Sequence, residues 1–146
     1  MKKILVLLVG IFLLISCGEN KESEYKSDYE EILQGVLDEH DVLMEEMKTV
    51  SGLLQKVEPE IDDSEEGEEY EVSAEKLKNA NKSMFSWMKD FSEEFSDIHE
   101  KGKTFTEEEY KERIEKLKKQ ENTLEQLKKE FEESISSAEE LLSNRK

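Results

Sequence analysis

Residues 27–57 read SDYEEILQGVLDEHDVLMEEMKTVSGLLQKV, and this stretch decides the fold. Tyr29, Leu33, Val36, His40, Leu43, Met47, Val50, Leu54 and Val57 recur at steps of four and three. That is the spacing of one face of a helix packed in coiled-coil fashion, with His40 inside the seam. Ser27 and Glu30 have the spacing of a capping box, which predicts a helix start at 27. Pro59 disfavours helical backbone in the residue before it, which predicts a stop near 57.

The pattern returns twice downstream. Leu77, Ala80, Met84, Trp87, Phe91, Phe95 and Ile98 share a face with Met88 beside it, predicting a helix over 73–101 capped by Ser73 and ended by Gly102. Thr106 and Glu109 form a second capping box, flanked by Phe105 and Tyr110 at the positions of a hydrophobic staple. From Tyr110 the stripe runs through Ile114, Leu117, Glu121, Leu124, Leu127, Phe131, Ile135, Ala138 and Leu142, predicting a helix over 106–142. Between the first two helices, residues 58–72 carry nine acidic side chains and no basic one, and read as an exposed loop. No single stripe can bury itself, so the expected fold is all-α: an up-down-up three-helix bundle with heptad-like packing over 27–146. The third helix is expected to be the longest, with Ile135, Ala138 and Leu141 projecting toward the acidic loop, so that Ile61, Tyr70 or Val72 covers this overhang and keeps the chain monomeric.

Charged residues make up 40% of the chain and the formal net charge is −17. Such acidity opposes nucleic acid, whose phosphates would repel it, and anionic lipid surfaces for the same reason. Asp62-Asp63-Ser64-Glu65-Glu66-Gly67 begins like a calcium loop, but Ser73 stands at the twelfth place where a bidentate Glu is needed. Asn81-Lys82-Ser83 fits a glycosylation sequon in the middle of a helix, where chance is the simpler reading. His99 reads as a cation at a helix end. There is no nucleophile motif, Gly-rich phosphate loop or zinc spacing, so no enzyme and no cofactor is expected.

Aligning the turns gathers His40, Met44, Met47, Met84, Trp87, Met88 and Glu121 into one central layer. The plainer reading is a core filled by flexible thioethers, with His40 and Glu121 as a polar pair across the first and third helices. The alternative is a soft-metal site, in which His40, Met44, Met47, Met84 and Met88 offer ligands to Cu(I). His40 and Met47 stand seven residues apart, about 10.5 Å along a helix, and cannot both ligate one ion.

The chain opens with Lys2 and Lys3, then a twelve-residue apolar run from Ile4 to Ile15. That run is too short to span a bilayer and fits a signal peptide over 1–16. Leu14-Ile15-Ser16-Cys17 resembles a bacterial lipobox, which implies lipid on the Cys17 thiol after cleavage before it. Cys17 is the only cysteine, so lipidation would leave no thiol chemistry. Residues 17–26 then read as a lipidated flexible tether, and loss of Lys2 and Lys3 takes the net charge from −17 to −19. Gly18 resembles the residue that follows the lipidated cysteine in lipoproteins sorted to the outer membrane, facing the periplasm or the surface. Lys21-Glu22 faintly resembles a surface-export signal, against the simpler reading of a solvated linker.

His40-Asp41-x-x-Met44-x-x-Met47 and Met84-x-x-Trp87-Met88-x-x-Phe91 resemble motifs of a group of small, uncharacterised bacterial lipoproteins predicted to be helical. The resemblance covers most of the first two helices and implies fold and location, without an activity. The expected function is a membrane-anchored, non-enzymatic helical module that engages an envelope protein, with copper(I) binding in the central layer as the alternative.

Overall fold

The computed structural model describes residues 19–100 and 102–144, so the leader, Cys17 and Gly18 lie outside the described residues. Three helices account for nearly all of it: α1 (Glu19–Val57), α2 (Glu65–Glu94) and α3 (Glu107–Ser143), with a single 3-10 turn at Glu58–Glu60. Among the described residues no helix is long and apolar enough to cross a membrane.

Cross-helix contacts set the directions. The Tyr29 and Tyr110 rings lie 5.8 Å apart, and the Lys128 ammonium reaches Glu39 at 2.9 Å, so α1 and α3 run parallel. Gln120 donates to Glu94 at 2.7 Å and Lys78 pairs with Glu58 at 2.7 Å, so α2 runs against both. The up-down-up bundle expected from the three stripes is therefore the fold. Each helix packs on the other two, with α1 and α3 sharing the broadest interface.

The core is one cluster from Tyr29 at one end to Val57, Tyr70 and Ala138 at the other. Along α1 the fully enclosed residues are Val36, Leu43, Val50 and Val57, as the seam predicts. Near the end of α1, however, Leu53 is buried and Leu54 only half-buried. A straight helix turns every 3.6 residues, so a stripe written at 3.5 drifts round it.

Helix boundaries separate local signals from tertiary ones. The start of α3 is the predicted one: Glu109 N–H donates to Thr106 Oγ1 at 3.3 Å, and Thr106 N–H donates to Glu109 Oε2 at 2.8 Å. The Phe105 and Tyr110 rings meet edge-on at 5.4 Å, closing the staple.

Three other boundaries correct the sequence reading. Helix α1 begins at Glu19, so most of the expected 17–26 tether is helical and Ser27 caps nothing. Residues 19–26 contain no Gly or Pro and are rich in Glu and Lys, which propagate a helix once Tyr25 packs on the core.

Helix α2 starts at Glu65 instead of Ser73. Ser64 is the true cap: its hydroxyl accepts from Gly67 N–H at 3.0 Å, while Asp62 Oδ1 accepts from Ser64 N–H at 2.9 Å. Glu65, Glu66 and Glu68 crowd the first turn, where the positive end of the helix favours carboxylates. Much of the predicted acidic loop is thus the opening of a helix, which carries Tyr70 into the core. Ile61 and Val72 remain exposed while Tyr70 is buried, and α1 with 39 residues, not α3 with 37, is the longest helix, which corrects the expected overhang.

At its other end α2 stops at Glu94, seven residues before the predicted Lys101, and residues 95–99 form turns. Gly102 has φ +80° as a turn residue, not as the helix terminator. Lys101, the predicted last residue of this helix, lies outside the described residues.

Two classes of glycine follow. A Cβ added at Gly35 or Gly52 in α1 meets nothing within 4 Å, so Gly35→Ala and Gly52→Ala should each stabilise by roughly 0.5–1 kcal/mol. At Gly67 the same carbon collides with the turn that caps α2, 2.6 Å from Asp62 N, so Gly67→Ala should destabilise despite its better helix propensity. Urea midpoints of the three variants check the opposite signs.

Candidate functional site

The expected central layer forms only in part. Met84 is wholly enclosed and Met47 nearly so, while Met44 and Met88 are half-buried against the same core. The His40 ring lies beside Trp87 with centroids 5.8 Å apart. Trp87 stacks on Phe91 at 4.9 Å, and Phe91 meets Phe95 at 4.9 Å. The layer is thus an aromatic ladder along α2 with His40 leaning on its upper rung. Among the described residues no group of three or more His, Cys, Asp or Glu side chains is placed to hold a metal.

The His40–Glu121 pair is a correction. His40 Nδ1 lies 3.0 Å from Oδ1 of its neighbour Asp41, and Glu121 is exposed. The α1–α3 register explains this. With Lys128 bound to Glu39, Glu121 falls beside Gly35 and Val36, about one turn from His40, on the outer rim of the interface. His40 turns toward α2, and Glu121 keeps its hydration, which a buried carboxylate would have to give up.

A cluster that the sequence reading missed lies where α1 begins and the α2–α3 turn folds back. The Arg113 guanidinium sits 4.1 Å from the Phe105 ring centroid, 5.4 Å from Tyr29 and 5.5 Å from Phe95. It donates to Asp97, which also accepts from the Lys103 ammonium at 2.9 Å. Arg113 and Asp97 are mostly buried, with side chains 16% and 18% exposed. The legible signal was a single arginine one turn after Tyr110 on an otherwise lysine-bearing helix, since a planar guanidinium stacks where an ammonium does not.

The hydrogen bond from Arg113 holds the Asp97 carboxyl below its ordinary 3.8, with Lys103 adding to the effect against the opposing cost of burial. A carboxyl depressed by folding stabilises above its unfolded value and loses that contribution as pH falls through the folded one. Asp97→Asn should therefore be less stable than the parent at neutral pH, and the two should converge as pH drops below about 4. Urea midpoints against pH measure this, and a difference that persists unchanged into acid would assign the effect to packing.

A third feature lies at the opposite end of the bundle. Between the start of α2 and the end of α3 runs an open groove of about 520 Å³. Glu65, Glu68, Glu69 and Glu140 line it, with Val72, Ser73 and Leu141 between them. Set beside known proteins, the chain matches no family model, no curated protein and no solved structure.

Proposed function

We propose that this chain is a lipid-anchored, non-enzymatic helical module that presents an acidic surface to a protein partner at the bacterial cell envelope. The observation that carries the reading is Leu14-Ile15-Ser16-Cys17 behind a basic and apolar leader, with the only cysteine at the modified place. The fold is compatible with it. The stripes are spent on the core, and carboxylates dominate what remains outside. Helix α1 starts two residues after Cys17, so lipid there would grip the bundle at the Tyr29–Arg113 end. The 39 residues of α1 span about 58 Å, which would hold the acidic groove well clear of the bilayer. Charge on that scale steers basic partners and discourages anionic ones.

The test is metabolic labelling with a palmitate analogue, followed by membrane fractionation. The parent chain should incorporate label and sediment with membranes. Cys17→Ser should lose the label and either leave the membrane or accumulate as the uncleaved precursor. A Cys17→Ser chain still processed and membrane-bound like the parent would sink the anchor.

A further inference from the structure

We propose that the groove between the start of α2 and the end of α3 binds a cationic peptide segment of a partner protein, one that alternates lysine or arginine with apolar residues. The inference rests on the interaction-module reading and names the surface and the chemistry of its partner.

The first observation is a set of carboxylates with no lysine or arginine paired to them among the described residues. Some carboxylates on the outer faces meet lysines at helical spacing, as in Lys26–Glu30, Lys89–Glu93 and Lys116–Glu112. Glu65, Glu68, Glu69 and Glu140 have no cation partner among the described residues. Glu65 repels Glu68 and Glu69 at spacings of three and four, a local cost that a bound cation removes.

The second observation is Ser73, which lines the same groove yet is only 3% exposed. Among the described residues its buried hydroxyl has no hydrogen-bond partner. Some helical hydroxyls here bond back to their own helix, among them buried Ser134 to the Phe131 carbonyl at 3.0 Å and Ser51 to that of Met47 at 2.8 Å. An enclosed hydroxyl without a partner, under the floor of an acidic trough, suits an N–H donor from a ligand that presses into the groove.

The occupant follows from shape and polarity. The carboxylates are spread along an open trough and form no cluster able to hold a metal ion. Val72, 53% exposed, and half-buried Leu141 present apolar surface between the charges. A bare polyamine would leave that surface wet, whereas a basic peptide with apolar side chains covers it.

The experiment uses the full chain in detergent at physiological salt and a fluorescein-labelled hexapeptide of alternating lysine and leucine, read by anisotropy. Glu65→Gln, Glu69→Gln and Glu140→Gln together should weaken binding at least tenfold. Glu121→Gln, Glu125→Gln and Glu132→Gln together, an equal charge change on another groove, should alter it less than twofold. Ser73→Ala should weaken it several-fold, and circular dichroism should show all variants helical. Equal loss in both triple variants would reduce the effect to bulk charge and overturn the proposal. So would an absence of saturable binding, or unchanged affinity when serine replaces the leucines of the probe. Because the measurement is independent of lipid, a labelled, membrane-bound chain that ignores the peptide sinks the groove alone. A chain that binds the peptide but stays membrane-bound as Cys17→Ser sinks the anchor alone.

Discussion

Trp87→Ala should destabilise the bundle by roughly 3–5 kcal/mol, the cost of removing a large aromatic ring from a core that cannot fully collapse. Trp87 is 5% exposed, stacked on Phe91 at 4.9 Å and covered by His40 at 5.8 Å. Its neighbours on the buried face, Met84 and Phe91, belong to rigid helical turns, which limits relaxation into the space. Trp87→Phe keeps a stacked ring and should cost much less, separating loss of volume from loss of the indole. Urea unfolding followed by circular dichroism gives both values, since the chain has no other tryptophan to report by fluorescence. The parent's emission should be blue-shifted when folded. A cost below about 1 kcal/mol for Trp87→Ala would remove the residue from the core anchors.

Arg113→Ala should be the next largest effect, roughly 2–4 kcal/mol. The side chain ties all three helices at one end, stacking between Phe105, Tyr29 and Phe95 while holding Asp97. Truncation therefore loses packing as well as charge. Arg113→Met fills part of the space and should recover part of the loss. Asp97→Ala leaves the mostly buried guanidinium with Tyr29 Oη, 3.4 Å away, as a polar contact. A double-mutant cycle between the two should show coupling of about 1–2 kcal/mol. Additive single effects would mean that the ion pair is incidental and the aromatic stacking carries the clasp.

These two sites differ in how far they could be read in advance. Trp87 lies on a stripe whose period alone predicts burial, and the structure puts it there. Arg113 depends on the turn after α2, where the helix breaks at Phe95 and swings Asp97 toward α3. Nothing within a few residues of Arg113 specifies that approach.

The same division runs through the molecule. The α3 capping box and staple involve Phe105, Thr106, Glu109 and Tyr110 alone, so short-range sterics and hydrogen bonding determine them and the sequence suffices. Three amphipathic stripes of adequate length likewise determine a three-helix bundle, because each must bury its apolar face and short connections make neighbours antiparallel. Which serine caps α2 was open. Ser73 and Ser64 both have suitable chemistry, and burial of Tyr70 in the core, ahead of Ser73 in the chain, goes with the cap at Ser64. Residues 19–26 gain helical order once Tyr25 finds the core, a contact remote in sequence from the residues it orders. His40 and Glu121 were each placed on the correct helix, yet their pairing required α1–α3 register to within a turn, and Lys128 on Glu39 settles that register elsewhere. Local chemistry chose the helices and their faces, and contacts between distant segments chose where each helix ends and which side chains meet.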